Sequence, residues 1–216
     1  MAALEYPSQV GIASRKFTII RKQTVSPGNG GYVQAFQRNI PLWYAEYTTP
    51  VLPVQSTVYS AALAFLEGLE GSLGTFLAYD PANMMPQAYA TLPVTADPWT
   101  QTGQPNPVIT ATSYSNSTIT LGAMNPAAII LPGDLVSCFY GNAWYLFRVT
   151  GLATDIVSNT ITVYVSPRPQ FTPTVSAAVR YRKACFEAKM IGGYEDSGTI
   201  DTPPAFSWKA FQFIGR

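Results

Sequence analysis

The chain contains no histidine. Whatever the fold, that removes Ser-His and Cys-His nucleophile pairs, His-based zinc sites and the usual general base near neutral pH. Carboxylate chemistry survives the exclusion, because glycoside hydrolysis needs only two acids flanking one bond. Two groups of acids have suggestive spacing: Glu67 with Glu70, and Glu195 and Asp196 with Asp201. The first pair falls three residues apart on an expected helix and reads most simply as a solvated face. The second lies in a Gly-rich stretch, where oxygen ligands could hold a cation, although the spacing fits no calcium loop. A solvated loop is the preferred reading there, ahead of cation binding and then catalysis. Cys138 and Cys185 are too few and too far apart for a cysteine-rich metal site, and each sits in a strand-like run, so both read as buried free thiols.

Phosphate chemistry fares no better. SPGNGGY (26–32) is loop-like, but it lacks the Gly-Lys-Ser/Thr ending whose lysine meets phosphates, and no helix clearly follows. GLEGSLG (68–74) does not fit G-x-S-x-G and reads as a helix end. Arg180-x-Arg182 would put two cations on one strand face, more suited to a salt bridge between subunits than to a phosphate site. Trp43, Trp99, Trp144 and Trp208 could stack on sugars or bases if exposed, but most lie in alternating strands where core packing or subunit contact is the default. Trp99 falls in a linker-like stretch and is the least explained. No catalytic, cofactor-binding or metal-ligating residue is assigned, no cofactor is expected, and the protein is expected not to be an enzyme.

Apolar residues make up 47 % of the 216 positions, enough for a core, while charged residues make up 12 %, about half the usual ~25 %. Either much of the surface is covered by other proteins, or it is built from Thr, Ser, Gln and Asn; composition leaves both open. The net charge of +1 gives no case for nucleic acid or anionic membrane. Charge is segregated, however. Arg15, Lys16, Arg21, Lys22 and Arg38 precede a stretch with no Lys or Arg before Arg148, and Arg180, Arg182, Lys183 and Lys189 come late. Such segregation suits polarised contacts between subunits. The start has neither the basic nor the apolar region of a leader, and no window reaches the ~18 apolar residues of a membrane span. A soluble protein made in a reducing cytoplasm, without membrane insertion, is expected.

The elements that must hold these residues are mostly strands. KFTIIRKQ (16–23), YVQAFQRNI (32–40) and LWYAEYTT (42–49) are strand-like, with SPGNGG (26–31) a loop and Pro41 a break. Val58, Ala62, Phe65, Leu66 and Leu69 then fall at helical spacing, with Ser56 a candidate N-cap and Gly71 a candidate C-cap. This helix is expected to pack on the sheet of the first strands. GTFLAYD (74–80) is a strand, and the Pro- and Asn-rich residues 81–107 read as a linker. Five short strands follow: VITATSY (108–114), STITLG (117–122), LVSCFY (135–140), WYLFRVTG (144–151) and NTITVYVS (159–166), with a hairpin at Gly141-Asn142 and a turn at Leu131–Asp134. They suggest a small barrel or sandwich. AAVRYRKACFEAKMI (177–191) reads as one long strand, 192–204 as a loop and AFSWKAFQFI (205–214) as a last strand. Two domains are expected, 91–179 being inserted into a unit made of 1–90 and 180–216.

Taken in order, YPSQVGI (6–12), FTII (17–20), SPGNGGYVQ (26–34), LWYAEYTTPVL (42–52), AFLEGLEGSLGTFLAYDP (64–81), LPGDLVS with NAWYLFRVTG (131–151), NTITVYVSPRPQF (159–171) and ACFEAKMI with FSWKAFQFI (184–214) resemble the distal tail proteins of siphophages. Each motif is made of packing and turn residues; the shared order carries the resemblance. It implies a mainly β fold: a tail-tube-like β-sandwich or split barrel with one α-helix, plus an inserted small OB-like β-barrel. It further implies a hexameric ring in the virion, with tail tube protein on one side and hub or tip proteins on the other. Such a ring surrounds the DNA channel of the tail tip without sequence-specific contact. The alternative is a carbohydrate-binding module of a phage tip, with exposed aromatics such as Trp99 or Trp144 meeting the host surface.

Overall fold

A computed structural model describes residues 3–21, 23–27, 33–37, 40–54, 56–100, 106–152, 154, 156–157, 159–172, 177–198 and 204–213. In chain order the elements are β1 (Leu4–Glu5), β2 (Ser14–Ile20), β3 (Gln23–Pro27), β4 (Val33–Gln37), β5 (Leu42–Thr48), α1 (Thr57–Gly68), β6 (Phe76–Tyr79) and a 3-10 turn at Gln87–Tyr89. Then come β7 (Val108–Ser113), β8 (Thr118–Gly122), β9 (Leu135–Tyr140), β10 (Ala143–Leu152), β11 (Ile161–Ser166), β12 (Ala177–Arg180), β13 (Cys185–Asp196) and β14 (Phe206–Gln212). The fold is mainly β with one α-helix, a closed six-stranded barrel and a mixed six-stranded sheet.

The sheet runs β1-β6-β13-β14-β5-β2, with β1 parallel to β6 and every other pair antiparallel. In β5 the alternation of LWYAEYT buries Trp43, Ala45 and Tyr47 and leaves their neighbours half-exposed, as the two-residue period of a strand requires. The sheet is rolled. Flat, β2 and β6 would lie about 19 Å apart at ~4.8 Å per strand. Yet Arg15 of β2 reaches Asp80, one residue past β6, with Nε 2.7 Å from Oδ1, and Tyr47 of β5 donates to the Tyr79 carbonyl at 2.7 Å. Phe17, Trp43 and Phe186 meet inside the roll, with ring centroids 5.2–6.3 Å apart.

Helix α1 begins where Ser56 Oγ accepts from the Tyr59 N–H at 3.1 Å, and it buries Ala62, Phe65 and Leu66, with Leu69 just beyond. The helix lies on the sheet containing β2 and β5, as expected, and its ring contacts come from both ends of the chain: Phe65 on Tyr6, Phe76 and Trp208, and Tyr59 on Phe206. The C-cap also shifts. The helix ends on Leu69, after which both Glu70 (φ 46°) and Gly71 (φ 68°) turn left-handed. Gly74 N then donates to Leu69 O at 2.9 Å, and a Cβ on Gly74 would lie as close to that same oxygen, so the closing turn requires glycine.

The barrel closes in the order β10-β11-β8-β7-β12-β9. Ile161, Val163 and Val165 face its core while Thr162 and Tyr164 face outward, as the alternation predicts. Gly141 (φ 56°) and Asn142 (φ 66°) form the two-residue turn between β9 and β10, both left-handed as a type I′ turn requires. The sixth strand is β12, separate from β13 and not continuous with it as the alternation over 177–191 predicts. The chain breaks at Tyr181–Ala184, where Lys183 is left-handed (φ 45°). Neither Gly nor Pro marks the break, so alternation ran through it. Conversely, residues 192–196 are not loop: β13 bulges at Gly192-Gly193 and continues to Asp196, paired with β14.

The strand expected over 16–23 is likewise divided. Its first part ends at Ile20, and Gln23–Pro27 pairs instead with Val33–Gln37. Because Ile20 is opposite Leu42 and Gln23 is opposite Gln37, β2–β3 and β4–β5 are the two arms of one long hairpin. Its distal half, β3–β4, pairs with no further strand among the described residues. The expected SPGNGG loop contributes Ser26 and Pro27 to β3; residues 28–32 lie outside the described residues.

Candidate functional site

The acids singled out by spacing are not brought together. Glu67 and Glu70 are both exposed at the end of α1. Glu195 and Asp196 are exposed neighbours on β13, so their side chains leave opposite faces of the strand. Asp196 Oδ1 accepts from the Gly198 N–H at 2.8 Å, a local turn contact. Asp201 lies outside the described residues. Among the described residues no group of three or more Cys, Asp or Glu side chains is placed to hold a metal ion.

Trp99 is buried, not exposed. It stacks on Tyr181 with centroids 4.5 Å apart and belongs to the barrel's core, which removes it as a platform for sugars. Trp43 and Trp208 are core residues of the rolled sheet. Trp144 is half-buried beside the more exposed Phe139. The arginine pair is also reassigned. Arg180 ends β12 and pairs with Glu5 (Nη1–Oε1 3.0 Å), whereas Arg182 lies in the following turn and meets Asp97 (3.4 Å) and the Thr95 carbonyl (3.0 Å). Both of these partners belong to this chain. The two arginines line a recess of about 310 Å³ with Asp97, Asn106 and Lys183.

The polar groups that matter for the architecture are ones the spacing did not flag. Trp43 is fully buried in the rolled sheet and donates from Nε1 to the Leu146 carbonyl of the barrel at 2.6 Å, while Arg148 of β10 lies over its ring at 5.3 Å. The hairpin register makes Tyr140–Ala143 a hydrogen-bonded pair, so Leu146, opposite Ser137, falls at a non-hydrogen-bonded position and its carbonyl turns away from β9. Trp43 supplies that carbonyl with a donor. Beside it, Ser137 Oγ donates to Arg180 O (2.9 Å) and accepts from Cys185 N (3.2 Å), joining β9 to the starts of β12's exit and β13. Cys138 and Cys185 are both buried and free, as expected. Burial pushes the Cys185 thiol up to about 11 and Cys138 higher still, so neither is a ready nucleophile.

Asp134 ties the crossing segment to the barrel. Its Oδ1 accepts from Gln87 N and its Oδ2 from Leu131 N, each at 2.8 Å, while Gln87 Nε2 donates to Pro132 O at 2.9 Å. A Cβ on Gly133 (φ 103°) would sit 2.5 Å from Gln87 Nε2, so the turn and the clamp require glycine together. Burial raises the Asp134 pKa, opposed by the backbone donors Leu131 and Gln87. A carboxyl with a raised folded pKa binds more protons folded than unfolded. Its contribution to stability is therefore complete below the unfolded pKa and is lost as pH rises through the folded one. Against Asp134→Asn, which does not titrate, wild-type stability should fall as pH rises from about 4 towards neutrality. Urea midpoints of both proteins across that range test this; a pH-independent difference would contradict it.

Among the described residues no helix is long and apolar enough to cross a membrane. No family model matches the chain, and no curated protein matches it.

Proposed function

We propose that this chain is a structural ring subunit of a siphophage tail tip, a distal tail protein in which copies join the tail tube to the hub around the DNA channel. The observation that carries the reading is the β3–β4 arm. A two-stranded ribbon is marginal in water, and this one extends past the sheet's own hairpin without pairing to another strand among the described residues. It is suited to completion by a neighbouring copy. Among the described residues β2 pairs only with β5 and so stands at the sheet edge, a second surface for strand addition. The low charge content fits a surface covered in assembly.

On this reading the rolled sheet with α1 is a tube-like split barrel, built from 1–90 and 180–216. The closed barrel is an OB-like module within 91–179. Strand membership supports the division, since β7–β12 are contiguous in sequence and the sheet draws on both sides of them. The ring is six-fold, non-enzymatic and part of the virion, and it passes DNA without reading its sequence. Negative-stain imaging of the purified protein, paired with light-scattering mass, should show a ring with a central hole. A strict monomer at high concentration that also ignores tail tube and hub proteins would defeat the proposal.

A further inference from the structure

A cleft of about 410 Å³ lies where the end of β2 meets the barrel, within the ~300–1,000 Å³ range of small-molecule sites. Arg21, Tyr114, Ser117, Thr150, Ser166 and Arg168 contribute to its wall. The Arg21 guanidinium donates to the Ser166 hydroxyl. Arg168 lies over the Tyr114 ring at 5.6 Å, and its carbonyl accepts from Gln170 Nε2 at 3.2 Å. No Asp or Glu lines the cleft, and neither arginine meets a carboxylate among the described residues. This sets them apart from Arg15, Arg180 and Arg182, each of which does. Two guanidiniums that share one recess with no counter-charge among the described residues leave forked donors open to an oxyanion. The surrounding hydroxyls can donate or accept, which suits the body of a sugar.

We propose that this cleft binds a small oxyanion carried on a hydroxylated ring, a sugar phosphate or a uronate. Nucleic acid is the less fitting ligand, because phosphate backbones are gripped by extended basic tracks and the chain's net charge is only +1. The inference stands apart from the ring reading, since it concerns one copy's own residues.

Calorimetric titration of the full chain with glucose 6-phosphate, glucuronate, inorganic phosphate and glucose tests it. Glucose 6-phosphate or glucuronate should bind with a Kd of about 1 mM or tighter, and the tighter of the two identifies the anion. Inorganic phosphate should bind more weakly and glucose not at all. Arg168→Gln and Arg21→Gln, each shown by circular dichroism to melt like wild type, should weaken binding about tenfold or more. Arg168→Lys, keeping the charge but not the fork, should recover part of it. Equal binding of glucose and glucose 6-phosphate, affinity unchanged in both Gln variants, no heat from any charged ligand, or preference for a short oligonucleotide would each overturn the assignment.

Discussion

Trp43→Ala should be the most destabilising single substitution in the contact between sheet and barrel, lowering the unfolding free energy by about 4 kcal/mol. The indole is fully buried, packs against Phe17 and Phe186, and carries the hydrogen bond to the Leu146 carbonyl. Truncation removes a large apolar group, opens a cavity and strands a buried acceptor. A loss of this size is a large share of the ~5–15 kcal/mol that a domain possesses. Trp43→Phe weights the terms differently: it keeps most of the apolar volume but loses the donor to the Leu146 carbonyl, a loss that costs about 1–3 kcal/mol. Denaturant titration followed by far-ultraviolet circular dichroism, which does not depend on the lost fluorophore, measures both. An alanine variant within ~1 kcal/mol of wild type would show that the indole does not join the two β-structures in the way its geometry implies.

If the proposed ring forms, removal of the β3–β4 arm should have the opposite profile, abolishing assembly while sparing the subunit. Replacing residues 22–39 with Asn-Gly closes the hairpin just beyond Ile20 and Leu42, which already face one another. The arm adds no strand to the sheet or the barrel, so the melting temperature of the isolated subunit should change little. The population of rings in negative stain should fall to background. Intact rings from the shortened chain would assign the contact to other surfaces, and a collapse of the fold would show that the arm serves the subunit's own core.

Periodicity recovered the elements whose signal is local. Alternation in LWYAEYT and ITVYVS gave the inward faces of β5 and β11, and the left-handed tolerance of Gly141-Asn142 gave the hairpin. Ser56 sits at the helix start because its hydroxyl can accept a free N–H there, which is again a local property. The errors came where structure is decided at long range. Residues 177–191 alternate without interruption, yet Tyr181 turns to stack on Trp99, far away in sequence, and the strand is cut between barrel and sheet. That same contact explains why Trp99, isolated in a Pro-rich stretch, is a core residue. Gly192-Gly193 punctuates like a loop but is absorbed as a bulge, because β14 continues to pair beyond it. Of the candidate sites, spacing within the sequence could nominate acids but could not show that Glu195 and Asp196 diverge. Asp134 did have a local signal in Leu-Pro-Gly-Asp, though its partner Gln87 did not.

The antiparallel pairing of Cys185–Ala188 with Phe76–Tyr79 closes the loop of chain that contains the whole barrel. A pull applied between β1 and β14 enters and leaves through the rolled sheet, so the barrel carries no tension while this clasp holds. Phe76 and Ala188, through which such a load enters and leaves, face one another at the same end of the β6–β13 ladder, so the load would unzip that ladder pair by pair before it reached the barrel.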